Sequence, residues 1–223
     1  NAKWGNAPSV LVGDFLYARA FEMMVELQSL PIMDVLSRAT AVIAEGEVLQ
    51  LMNVKNPDLT EAQYMTVIHN KTAMLFEAAS HTGALLAGAS PEQAAGLKDY
   101  GKHLGLAFQL VDDVLDYQGD AETMGKNVGD DLAEGKTTLP LIHAMAHGAE
   151  AERRLIRQAI RKGGLEALPE ILEIVSRSGA IEYTMNRARE QAEQARQRLA
   201  TLPDSEHKTA LLELTRVAVA RAS

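Results

Sequence analysis

The stretch Gln109-Leu110-Val111-Asp112-Asp113-Val114-Leu115-Asp116 decides how this chain is read. At about 100° per residue, with Gln109 set to zero, Asp112 falls near 300°, Asp113 near 40° and Asp116 near 340°. Four polar groups therefore share one narrow helix face, and Phe108, Leu110, Val111, Val114 and Leu115 cover the opposite side. Unpaired carboxylates this close repel and raise one another's pKa, so a cationic partner is expected at this face. Carboxylate oxygens suit hard divalent cations, and Mg²⁺ takes one or two protein carboxylates together with substrate phosphates. The competing reading is a solvated acidic helix edge.

Outward from this stretch, nearly everything reads as helix. Ser90-Pro91-Glu92-Gln93 carries an N-cap, a proline at the first helical position and a capping-box glutamine. The helix it opens runs through Leu97, Leu104 and Phe108 and ends near Tyr117. Gly101 and Gly105 inside it cost about 1 kcal/mol each in helix propensity, which implies a close approach by another helix. Upstream, Thr60 with Gln63 repeats the capping signature, starting a helix that reaches Leu86. A helix opened by Pro31 runs toward Leu51. The first helix spans about Ser9 to Leu27; it is apolar over most of its surface and is expected to be buried. Downstream, Gly119 to Thr138 is a long irregular stretch, and long loops inside compact domains are usually functional. Pro140 opens a further helix, and Gly148, Gly163-Gly164, Gly179 and Leu202-Pro203-Asp204 punctuate the rest. No alternating apolar run supports a strand.

Composition agrees with a single all-α domain over residues 1–223. Apolar residues make up 47% and charged residues 23%, so a packed core is expected. The net charge is −8 with no local basic patch, which argues against a nucleic-acid partner. With no cysteine there are no disulfides, no thiolate chemistry and no cysteine-ligated zinc. That is compatible with a reducing compartment, and a cytoplasmic location is the expectation. No apolar run reaches the length of a membrane span, and the N-terminus has no signal-peptide pattern.

Lys126, Asp130, Asp131 and Lys136 follow the acidic helix by a few residues, so carboxylates for metal and lysines for phosphate are neighbours in the chain. Gly135-Lys136-Thr137 is not a nucleotide P-loop: five residues separate Gly129 from Gly135 where the motif has four, and no strand precedes it. Lys71-Thr72 sits in the middle of a helix, flanked by Val67, Ile68, Leu75 and Phe76, where a lysine needs a partner or a route to solvent. His143 and His147 are four apart but lack the glutamate a zinc hydrolase needs, and read as packing or surface histidines. His69, His81, His103 and His207 belong to no constellation.

Taken together, Gly105 to Asp116 and Gly125-Lys126-Asn127-Val128-Gly129-Asp130-Asp131-Leu132-Ala133-Glu134-Gly135-Lys136 resemble the trans-isoprenyl diphosphate synthases. Lys71-Thr72-Ala73 resembles that family's Lys-Thr pair, Val12-Gly13-Asp14-Phe15-Leu16 its Gly-Asp helix, and Glu45-Gly46-Glu47 with Gln50 also fits. The likeness covers almost the whole chain and is greatest to long-chain bacterial polyprenyl synthases of the octaprenyl type. It implies an all-α isoprenoid-synthase bundle around a central cavity, usually as a homodimer. The implied reaction is repeated condensation of an allylic prenyl diphosphate with isopentenyl diphosphate. Its products are a long all-trans polyprenyl diphosphate, a quinone side-chain precursor, and pyrophosphate.

The resemblance assigns Mg²⁺ to Asp112, Asp113 and Asp116, the diphosphate grip to Lys71, Lys126 and Lys136, and its orientation to Thr72 and Gln109. Phe15, Phe21, Met23 and Met24 are the candidate wall of a chain-length tunnel; the plainer reading makes them core. Peripheral membrane contact during product release is a further expectation. The family's first aspartate motif is expected upstream of Asn1, so a polypeptide beginning there is expected to be inactive alone. The alternatives are a non-catalytic partner subunit and a Mg²⁺-dependent terpene cyclase.

Overall fold

The computed structural model describes residues 2–118, 128–163 and 165–221. Among them there is no strand. Helices α1 (Asn6–Glu26), α2 (Leu30–Asn53) and α3 (Glu61–Ile68) come first. A π turn over His69–Ala73 leads without a break into α4 (Met74–Leu86), and α5 (Pro91–Gln118) follows. The short α6 (Asp130–Ala133) precedes α7 (Leu139–His147), α8 (Glu150–Lys162), α9 (Leu168–Arg177), α10 (Ala180–Arg198) and α11 (Glu206–Ala220).

The long helix α5 is the axis. It packs against α4 on one side and α10 on the other. Leu110, Val111 and Val114 are fully buried there, in a core shared with Leu59, Ile68, Ala73, Leu139, Met185 and Ala188. The expected close approach at the two glycines is present. A β-carbon on Gly101 would collide with the Phe76 carbonyl oxygen, and one on Gly105 would sit 2.6 Å from Ala73 Cα. A second core, of Leu132, Leu141, Ile156, Ile160, Ile171 and Ile174, fastens α6 to the C-terminal helices.

Both capping expectations hold. Thr60 accepts from the Gln63 amide, and Gln63 Oε1 accepts from the Thr60 amide at 2.9 Å. Ser90 and Gln93 exchange the same pair of bonds. These caps fix where α3 and α5 begin.

The burial expected of α1 does not hold. Only Met24 is buried in it, while Phe15 and Met23 are 65% and 55% exposed. A helix apolar all round is buried only where other elements surround it, and among the described residues α1 leans mainly on α2. No described helix is long and apolar enough to cross a membrane.

Candidate active site

Three helices and a loop enclose a cavity of about 370 Å³. Helix α5 contributes Gln109, Asp112, Asp113, Leu115 and Asp116. The α3 segment and the π turn contribute Tyr64, Val67, Ile68, Lys71 and Thr72 from the facing wall. The end of α2 brings Gln50, Asn53 and Val54, and residues 128–138 close the rim with Asp130, Asp131, Glu134 and Lys136. The polar face drawn from the spacing around Gln109 is therefore the face that looks into the cavity.

Asp113 is buried and uses both carboxylate oxygens inside the protein. Tyr64 Oη donates to Oδ2 at 2.6 Å, and Gln109 Nε2 donates to Oδ1 at 2.7 Å. Thr72 Oγ1 donates to Gln109 Oε1 at 2.9 Å. The chain Tyr64–Asp113–Gln109–Thr72 thus ties both walls together and fixes the Gln109 amide orientation. Each oxygen of Asp113, expected from the sequence to be a metal ligand, thus already accepts one hydrogen bond within the protein.

Lys71 answers the partner question raised by its apolar neighbours. Its Nζ donates to Gln50 Oε1 at 3.0 Å and lies 3.5 Å from Glu47 Oε1, both on α2. The ammonium is held at the cavity between α2 and α5.

Residues 129–136 are anchored to the acidic cluster. Gly129 takes a left-handed conformation, φ +85°, that favours glycine. This turns its amide onto the Asp116 carbonyl at 2.9 Å, and the Asp131 amide donates to Asp116 Oδ2 at 3.3 Å. Lys136 Nζ then pairs with Asp131 Oδ1 and Glu134 Oε2, each at 2.8 Å. Burial alone would lower the Lys136 pKa, but its two carboxylate partners carry it above the ordinary lysine value. The residue therefore stays cationic at any physiological pH.

Burial, with the nearby Asp131 carboxylate, pushes Asp113 and Asp116 up to about 7. Such a shift is the signature of a site short of positive charge. One cation contributed by the chain lies at its outer edge: Arg221 Nη2 is 3.7 Å from Asp112 Oδ1, with its guanidinium stacked over Phe108 at 4.5 Å.

The donor set fits a hard divalent ion. Asp112 and Asp116 are acceptor-only oxygen donors half open to the cavity, with Asp130 and Asp131 facing them. Among the described residues no three acidic or imidazole groups converge closely enough to hold an ion by themselves.

Of the residues singled out in the sequence, the structure gathers Lys71, Thr72, Gln109, Asp112, Asp113, Asp116 and Lys136 around one cavity. It does not bring Phe15, Phe21, Met23 or Met24 to that lining, because α1 stands away from it. Lys126 lies outside the described residues. His143 and His147 stack on each other at 4.0 Å, and His143 stacks on Tyr183 at 4.3 Å, away from the cavity. Tyr64 was missed: an aromatic on the buried stripe of α3 looks like core until its hydroxyl is seen to face Asp113. His69 was also missed; its Nε2 is 3.1 Å from the buried Glu77 carboxylate.

The polyprenyl synthetase family model matches residues 1–175. The octaprenyl diphosphate synthase of Escherichia coli (strain K12) is 55% identical over 222 residues, which are 99% of this chain and 69% of that protein. The all-trans-nonaprenyl-diphosphate synthase (geranyl-diphosphate specific) of Rhodobacter capsulatus is 49% identical over 221 residues, 99% of this chain and 68% of the relative. A crystal structure of a polyprenyl synthase from Caulobacter crescentus CB15, complexed with calcium and isoprenyl diphosphate, superposes with a TM-score of 0.93 at 47% identity. It covers 100% of this chain and 68% of that one.

Proposed function

Because the chain belongs to the polyprenyl synthetase family, we propose that the cavity below Asp112 and Asp116 binds an allylic prenyl diphosphate for elongation by isopentenyl diphosphate. The product is a long-chain polyprenyl diphosphate of the octaprenyl class, with pyrophosphate released. The family's reaction and the likeness to octaprenyl and polyprenyl synthases support the chemistry. The observation in this chain that carries the reading is the juxtaposition of the cationic Lys71 and Lys136 with the carboxylate face of α5 around one cavity.

The reaction breaks the allylic C–O bond, leaves an allylic cation and transfers an electron pair to the departing diphosphate. The isopentenyl double bond attacks the cation, and proton loss to the released pyrophosphate restores an alkene. Mg²⁺, when bound by Asp112 and Asp116, supplies neutralisation of the developing diphosphate charge. The Caulobacter relative complexed with calcium gives a precedent for a divalent ion; Mg²⁺ is our choice on the hard-oxygen donor set.

The chain's own residues bind and orient. Lys71 and Lys136 grip diphosphate oxygens as compact charges. To do so, Lys136 exchanges Asp131 and Glu134 for phosphate, which preserves its paired state. Thr72 and Gln109 orient the head group, and Asp113 positions Gln109 through its 2.7 Å bond. Val67, Ile68 and Leu115 on the cavity wall exclude water from the first carbons of the allylic chain.

The test is product analysis. The native protein is incubated with labelled isopentenyl diphosphate, farnesyl diphosphate and Mg²⁺, with and without chelator. Metal-dependent formation of long linear diphosphates supports the reading. Cyclised hydrocarbon, or no turnover by well-folded protein, overturns it in favour of a cyclase or a non-catalytic subunit respectively.

A further inference from the structure

The helix that carries Lys71 and Thr72 is not a plain α-helix. Residues His69–Ala73 form a π turn between α3 and α4. Such turns are rare, and they need compensation from neighbours. Three features of the surroundings supply it.

The first two are steric. Helix α2 meets the wide turn at Gly46, where an added β-carbon would lie 2.8 Å from the Lys71 amide nitrogen and 2.9 Å from the Asn70 carbonyl carbon. Helix α5 meets the other side at Gly105, where a β-carbon would lie 2.6 Å from Ala73 Cα. Neither neighbour is the flexible end of a side chain, so neither clash relaxes cheaply. The bulging backbone fits because both facing positions lack a side chain.

The third feature is a brace across the turn. His69 Nε2 and Glu77 Oε2 are 3.1 Å apart, although eight residues separate them. In an unbroken α-helix those positions would be turned about 80° from each other. A π turn absorbs one extra residue, so the winding approaches that of seven α steps and the mismatch falls to about 20°. The contact is geometrically natural only with the π turn in place. Glu77 is buried at 7% exposure and is held on its other oxygen by Lys98 of α5 at 3.5 Å. His69 Nδ1 faces Asn70 Oδ1 at 3.0 Å.

We infer that His69 and Glu77 are positioning residues for the diphosphate grip: together they lock the π register that presents Lys71 and Thr72, adjacent in sequence, to the same cavity. The inference rests on the reading of that cavity as a diphosphate site. Neither His69 nor Glu77 lines the cavity, so their effect on substrate passes through Lys71 and Thr72. Losing the brace lets the turn relax toward α-helical winding, which rotates Lys71 away from Gln50 and from the diphosphate.

The experiment is steady-state kinetics on the native protein and on His69→Leu, Glu77→Gln, Lys71→Ala and the pair His69→Leu with Lys71→Ala. The expected result is a KM for farnesyl diphosphate raised about tenfold by His69→Leu, with kcat and the isopentenyl diphosphate KM changed less than about twofold. The paired variant should be no worse than Lys71→Ala alone, because both changes remove one interaction. His69→Gln, which still donates to Glu77, should recover most of the native KM. If His69→Leu does not fold, Glu77→Gln and His69→Gln carry the comparison.

An unchanged farnesyl diphosphate KM in active, folded variants overturns the inference. So does a loss confined to thermal stability or to the fraction of active protein, which marks a merely structural role. Absence of turnover in the unsubstituted protein fails differently: it overturns the reading of the site, and this inference with it.

Discussion

Tyr64 donates its hydroxyl to Asp113 Oδ2 across 2.6 Å in a buried contact that joins the helix leading to Lys71 with the helix carrying Asp112. The two residues are 49 positions apart in sequence. Tyr64→Phe removes the donor and leaves one oxygen of a buried carboxyl group without its partner. The expected cost is about 1–3 kcal/mol, read as a lower urea midpoint with an unchanged slope. A midpoint equal to that of the native protein would show that the contact does not hold the walls together.

Asp112 and Asp116 should behave in the opposite way. They crowd other carboxylates, and burial together with Asp131 drives the Asp116 carboxyl up to about 7. Asp116→Asn therefore relieves repulsion and should leave the thermal midpoint equal or higher. Turnover, measured as pyrophosphate release, should fall about 100-fold or more in Asp112→Asn and Asp116→Asn, the scale of losing a charge-stabilising group at a reacting centre. Destabilised variants with near-native turnover would place the metal elsewhere.

Gly105→Ala tests the packing around the π turn without touching the cavity lining. The new methyl would meet Ala73 at 2.6 Å. Overpacking of this kind costs about 1–3 kcal/mol. The thermal midpoint should drop, and a neutral result would mean that α5 can shift away from the turn.

Much of this was legible in the sequence, because local signals and tertiary demand agreed. The capping pairs Thr60–Gln63 and Ser90–Gln93 set the starts of α3 and α5. The spacing of Gln109, Asp112, Asp113 and Asp116 placed a carboxylate face where the cavity now lies. Gly101 and Gly105 announced a close helix, and Phe76 and Ala73 are what comes close. What stayed hidden depended on partners distant in sequence. The run Ile68-His69-Asn70-Lys71 has ordinary helical composition, and no local pattern marks the π insertion that aligns His69 with Glu77. Asp113 looked equivalent to Asp112, since nothing near it in sequence says that Tyr64 claims one of its oxygens. Helix α1 misled for a related reason: apolarity predicts burial only against a surrounding structure, and Phe15 and Met23 face outward from α2.

The His69–Glu77 pair also predicts a pH window. Burial would raise the Glu77 pKa, but His69 and Lys98 hold it below its ordinary 4.5, so its share of stability is lost as pH falls through the lowered value. The bond from Glu77 outweighs burial and the nearby Lys102 in lifting His69 above 6.5, so its share is full below 6.5 and is lost as pH rises through the raised value. The difference in thermal midpoint between the native protein and Glu77→Gln should peak between pH 4.5 and 6.5. It should shrink on either side. A difference independent of pH would deny that the ionised pair forms.

The central claim, that this cavity binds an allylic diphosphate together with a divalent cation, is tested most directly by calorimetric titration with farnesyl thiolodiphosphate, whose bridging sulfur slows ionisation and so isolates binding from turnover. Tight binding is expected only with Mg²⁺ present, weakened about tenfold or more by Lys71→Ala and lost when Asp112→Asn and Asp116→Asn are combined. Equal affinity with and without metal, or native affinity in the combined aspartate variant, would contradict it.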